Sequence, residues 1–182
     1  MTNQTENEYK LVINSCRSLF EKKTVDYGTA WRIMRLPSIT DQILIKAQRI
    51  RSIQEKGKQL VADDLNSEFI GIINYSIIAI IQMGITPDQP IELDPKWVMQ
   101  RYDEEVQSTL ELLLRKNHDY GEAWREMRVS SITDIILMKL HRVKQIEDNQ
   151  GKTLVSEGLD ANYRDMMNYA VFALIQSGFK YE

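Results

Sequence analysis

Apolar positions recur at three- and four-residue intervals along nearly the whole chain, without sustained alternation of period two, so the pattern predicts helices and no sheet. A long first helix is expected over about Glu6–Lys23, followed by a loop holding Asp26-Tyr27-Gly28 and a short helix with Ala30-Trp31-Arg32. Ser38-Ile39-Thr40-Asp41 has capping-box spacing, with Asp41 in place of the usual Glu, and predicts the start of a third helix running to about Gly57. A fourth helix ends at Gly84. The proline-bearing stretch Ile85–Lys96 then leads into the same order again, with Asp94-Pro95 suited to cap and open a helix over about Pro95–Lys116. The expectation is an all-α, tandem-duplicated bundle of eight helices with pseudo-twofold character, divided as 1–84, a linker 85–96, and 97–182.

The duplication is explicit in the residues. Asp26-Tyr27-Gly28-Thr29-Ala30-Trp31-Arg32-Ile33-Met34-Arg35 returns as Asp119-Tyr120-Gly121-Glu122-Ala123-Trp124-Arg125-Glu126-Met127-Arg128, an offset of 93. Ile39-Thr40-Asp41 returns as Ile132-Thr133-Asp134 at the same offset, and Asn74-Tyr75 and Gly84 match Asn168-Tyr169 and Gly178 at 94. Residues kept identical in both copies mark positions under the same physical demand.

The fourth helix of each copy carries the sharpest conflict between polarity and burial. Phe69 to Met83 is apolar on nearly every side, as expected of a central helix. Yet Glu68, Gly71, Tyr75 and Gln82 share one stripe, matched by Asn162, Asp165, Tyr169 and Gln176, with Asn74 and Asn168 beside it. Buried polar groups cost roughly 1–3 kcal/mol each unless hydrogen-bonded, so the stripe needs partners, from another helix or from a ligand. On the third helix, Asp41, Lys46 and Arg49 recur as Asp134, Lys139 and Arg142. Each Lys/Arg pair lies three apart at the edge of an apolar face, where it could hold a phosphate or carboxylate or form ordinary ion pairs while the aspartate caps its helix.

The Asp-Tyr-Gly corner is open to two readings. Gly28 and Gly121 suit a tight backbone turn, with Asp26 and Asp119 accepting backbone N–H groups and Trp31 and Trp124 burying large areas. Alternatively, Tyr27 and Trp31 present aromatic surfaces to a base while Arg32 and Arg35 meet phosphate, with Arg125 and Arg128 repeating the arrangement.

Composition removes several function classes. A net charge of −3 over 182 residues gives no basic field for general nucleic-acid binding. The single cysteine, Cys16, excludes an internal disulfide framework and a cysteine zinc site. Met1 to Lys10 lacks the apolar core of a signal peptide, and the longest apolar run, Ile77 to Ile81, is too short to span a bilayer, so a soluble cytoplasmic protein is expected. There is no glycine-rich phosphate loop and no nucleophile elbow. His118 and His141 face Val25 and Gln48 in the first copy, which excludes a duplicated histidine mechanism.

Two copies of Asp-Tyr-Gly-x-Ala-Trp-Arg-x-Met-Arg, then Ser-Ile-Thr-Asp, then Asn-Tyr on a late apolar helix, resemble the nucleotide-modification-associated domain family, first type. The resemblance runs from about Tyr9 to Gly84 and from Tyr102 to Gly178. It implies a helical bacterial or phage protein in the setting of modified-nucleotide metabolism, with no particular reaction. The layout also looks somewhat like the all-α nucleoside-triphosphate pyrophosphohydrolases, which hold magnesium with paired carboxylates on adjacent helices. This chain departs from that pattern: Glu68 is followed by Gly71, and Asn162 by Asp165.

Three functions stay open on this basis. The leading expectation is binding of a nucleotide or similar anionic small molecule by Arg32, Lys46, Arg49, Asn74 and Tyr75 and by Arg125, Lys139, Arg142, Asn168 and Tyr169. The second is magnesium-dependent triphosphate hydrolysis with Asp41, Glu68, Asp134 and Asp165 as ligands. The third is a non-catalytic scaffold whose stripe only fixes helix register. Homodimerisation is expected by analogy with related helical folds, unless the duplication supplies that partner internally.

Overall fold

A computed structural model describes residues 2–57 and 64–181. Six α-helices carry the architecture: α1 (Thr2–Tyr27), α2 (Leu36–Lys56), α3 (Leu65–Met83), α4 (Pro95–Tyr120), α5 (Val129–Asp148) and α6 (Leu159–Gln176). The two short helices expected at Ala-Trp-Arg are single 3-10 turns, Ala30–Ile33 and Ala123–Glu126. No strand occurs among the described residues.

Two local expectations are corrected. Asp26-Tyr27 and Asp119-Tyr120 are the last helical residues of α1 and α4, and left-handed Gly28 (φ 62) and Gly121 (φ 64) end the helices just beyond them. Nor does Ser38 open α2. The helix starts at Leu36 with Pro37 in its first turn, where proline forfeits no hydrogen bond, and α5 likewise starts at Val129. Thr40 and Thr133 therefore sit inside helices, bonding back to the carbonyls of Leu36 and Val129. Asp94 does cap α4, accepting from the Lys96 N–H at 3.1 Å.

The two copies share one core. Helices α2, α3, α5 and α6 pack together, with α3 against α6 and α2 against α5 joining the repeats. The long helices α1 and α4 meet each other and cross over: α1 rests more on α6 than on α3, while α4 rests more on α3 than on α6. Of the described helices, α3 is long and apolar enough to cross a membrane, but it lies inside the bundle, with Ile72, Ile73 and Ile77 fully buried. Its all-round apolarity follows from that central position.

The α2–α5 seam obeys the pseudo-twofold. Asp41 pairs with Lys144 at 2.7 Å, and the matching Arg51 lies 3.5 Å from Asp134. Thr40 donates to Glu147 at 2.6 Å, and the matching Gln54 donates to Thr133 at 3.1 Å. Symmetry breaks at Glu147, which also accepts from the buried Tyr163 at 3.2 Å. Burial pushes the Glu147 carboxyl above its ordinary value, opposed by the hydrogen bonds from Thr40 and Tyr163.

A carboxyl raised in the folded state adds stability below its unfolded pKa and loses that contribution as pH rises through the folded one. Glu147→Gln copies the residue present at Gln54 and removes this titration. The variant's melting temperature should exceed the parent's at pH 8, where the parent carries a charged, partly buried carboxylate. The gap should shrink towards pH 4. Equal melting temperatures at pH 8, or a gap constant with pH, would refute the assignment.

Candidate functional site

The crossing of α1 and α4 accounts for the two shared asparagines. Tyr102 on α4 donates to Asn74 Oδ1 at 2.9 Å, and Tyr9 on α1 donates to Asn168 Oδ1 at 2.9 Å. Asn74 also donates to the Cys16 carbonyl at 3.1 Å. Both tyrosines are completely buried, and burial raises their phenol pKa values. The stripe glutamines are similarly occupied: Gln82 donates to the Arg32 and Met34 carbonyls, and Gln176 donates to the Trp124 carbonyl. Tyr75 and Tyr169 are half-buried, with Lys46 Nζ 5.9 Å from the Tyr75 ring centre and Tyr169 edge-on to Phe172. Burial raises both of their phenol pKa values.

The first 3-10 corner is covered by the linker 85–96, and the second by α1 of the other repeat. Arg32 donates to Gln82 at 2.7 Å and to the Gln89 carbonyl at 3.0 Å, while Thr29 bonds the Ile91 carbonyl and accepts from the Leu93 N–H. Gly28 leaves room for the Glu92 carboxylate, with which a Cβ there would collide. In the second corner, Arg125 binds Glu122 at 2.6 Å and Glu8 at 2.5 Å, and its guanidinium sits 4.3 Å from the Trp124 ring centre. Burial raises the Glu122 carboxyl, yet hydrogen bonds from Arg125 and Thr5 bring it below its ordinary value. Trp124 is buried and Trp31 partly so, whereas Tyr27, Tyr120, Arg35 and Arg128 are exposed.

The cation pairs distinguish the copies. In the first, Arg49 reaches Glu68 at 2.5 Å and Lys46 reaches it at 3.4 Å. Lys46 passes over Gly71, where a Cβ would lie 2.6 Å from its Cε. In the second, Asn162 replaces Glu68 and turns its amide to the Gly158 carbonyl at 2.9 Å. Asp165 takes the place of Gly71 and binds Lys139 at 2.7 Å and Lys116 at 3.4 Å. Arg142, the counterpart of Arg49, is exposed and makes no ion pair or hydrogen bond to a described residue.

Arg142 and Lys139 line a groove of about 740 Å³ formed by α5, the loop 149–158 and the first turn of α6. Lys152 and Glu157 add charge to its wall, while Asn149, Thr153 and Ser156 add hydrogen-bonding groups. The loop contributions are missing from the sequence reading, since an irregular segment has no periodicity to fix its position. Their signal was the unequal stripe, Asn162 against Glu68. The matching first-repeat loop, 58–63, lies outside the described residues.

The four carboxylates considered for magnesium are each drawn to cations at different places. Asp41 and Asp134 lie on the α2–α5 seam, Glu68 faces α2 and Asp165 faces α5. No three His, Cys, Asp or Glu side chains converge as a metal site among the described residues. The spacing of the stripe does not single out Arg164, which donates to Glu105 at 2.6 Å and to Thr109 at 2.6 Å. Arg101 completes that buried cluster with a 2.7 Å bond to Glu105.

The model of the nucleotide modification associated domain 1 matches residues 23–83 and 116–177. Those two segments each run from the end of a long helix through its corner to the end of the apolar helix. No curated protein and no solved structure matches the chain. With both repeats covered by one family model, the chain belongs to the nucleotide modification associated domain 1 family, in two tandem copies.

Proposed function

We propose that this protein binds a small anionic molecule of the nucleotide class in the second-repeat groove, in the service of nucleotide modification. The observation that carries the reading is Arg142: its first-repeat counterpart has Glu68 as partner, whereas Arg142 lines an open groove. Exchange of Glu68 for Asn162 takes the anion away from Arg142, with Asp165 engaging Lys139 instead, and leaves a guanidinium suited to a bidentate phosphate. Helix ends favour the same half. The α3 N-terminus is capped by the Asp64 carboxylate, while α6 begins after Gly158 without a side-chain cap. On this reading Arg142 is the ligand contact among the residues singled out by the repeat, with Lys139 held beside it by Asp165, while Asn74, Asn168, Arg32 and Arg125 hold the frame.

The expected stoichiometry is one ligand per chain. Calorimetric titration at low ionic strength with a panel of nucleoside mono-, di- and triphosphates should detect binding, and Arg142→Gln should weaken it by about tenfold or more, as loss of one charged hydrogen-bonding group does. The exposed position of Arg142 predicts an unchanged melting temperature for the unliganded variant. Two equivalent sites per chain, or undiminished binding in the variant, would remove the basis for this assignment.

A further inference from the structure

The groove has a second chemical character besides charge. Leu154 and Val155 in its wall are 101% and 97% exposed, and Ile146 contributes an apolar patch at its base. Two adjacent aliphatic side chains lying fully in water beside a cationic groove bury nothing in the protein's own core and are open to contact with what enters the groove. The charge available is also limited. Lys139, Arg142 and Lys152 face one lining carboxylate, Glu157, and Lys139 is already held at 2.7 Å by Asp165. That leaves about one net positive charge, close to the charge of a phosphomonoester and far short of that of a bare triphosphate.

Building on the proposed anion site, we infer that its ligand class is a phosphomonoester whose organic body offers a flat ring face, a nucleoside monophosphate in chemical terms. The phosphate lies against Arg142 and Lys152, and the base lies against Ile146, Leu154 and Val155. Both contacts are needed for affinity: the cations recognise the anion, and the aliphatic wall separates an organic phosphate from the inorganic ion.

The test compares inorganic phosphate, adenosine and thymidine monophosphates, adenosine triphosphate and free adenosine by calorimetry on the full chain. The tighter of the two monophosphates should bind at least tenfold more tightly than inorganic phosphate and than free adenosine. Leu154→Ser/Val155→Ser should erase that advantage over phosphate while leaving phosphate affinity itself unchanged. Both side chains are exposed, so the double variant should keep the parent's melting temperature, which is read alongside. Equal affinity for phosphate and monophosphates would overturn the ligand class and leave the anion site standing. Triphosphate binding tenfold tighter than monophosphate would likewise overturn it. Failure of every anion to bind would overturn the site as well.

Discussion

Trp124→Ala should destabilise the protein by about 3–5 kcal/mol, lowering its melting temperature by on the order of 10 °C. The indole is 6% exposed and stacks on Phe172 with ring centres 4.3 Å apart and planes within 6°. Its other face carries the Arg125 guanidinium, which ties this corner to Glu8 of α1. Removing the ring therefore opens a cavity and loosens the strap between repeats. The indole N–H has no hydrogen-bond partner, so Trp124→Phe forfeits no hydrogen bond and should cost only about 1–2 kcal/mol. Trp31→Ala should cost less than Trp124→Ala, because Trp31 is partly exposed and the position matching Phe172 is Ile78. Denaturant midpoints of the three variants check the order. Trp31→Ala as damaging as Trp124→Ala would show that the stack contributes little.

The corner shows where sequence reading succeeds and where it stops. Helical period, glycine ends and the repeat are local properties, so the helices, their duplication and the central place of α3 could be read directly. The partners of the polar stripe are properties of topology. Nothing in the spacing of Asn74 says that Tyr102 will reach it, since that bond exists only because α4 crosses onto the other repeat. Matching the copies picked out residues with a shared demand, and for Asn74 and Asn168 that demand is the register of crossing helices. The capping-box spacing at Ser38 places the helix start too late, because Pro37 is itself suited to the first turn. The groove was hidden for a different reason: most of its lining comes from the irregular loop 149–158, and only the exchange of Glu68 for Asn162 beside Arg142 marks it in the sequence.

A second difference between the copies makes Arg164→Ala the other severe substitution, at about 3 kcal/mol, or on the order of 6–12 °C in melting temperature. Arg164 donates to Glu105, whose residue is 8% exposed, and removing it leaves that carboxylate with Arg101 alone. Thr109 also loses the guanidinium contact. The first repeat solves the matching positions with Val12, Cys16 and Ile70, an apolar set in which Val12 and Cys16 are fully buried. A buried ion pair usually gains little over well-packed apolar residues, whereas half of one leaves an uncompensated charge. The double variant Glu105→Val/Arg164→Ile should therefore recover to within about 1 kcal/mol of the parent, although each half was built differently. Chemical denaturation followed by circular dichroism measures both. If the double variant were as unstable as Arg164→Ala, the ionic cluster would be supplying stability that apolar packing cannot replace, and the equivalence drawn between the two repeats at this position would fail.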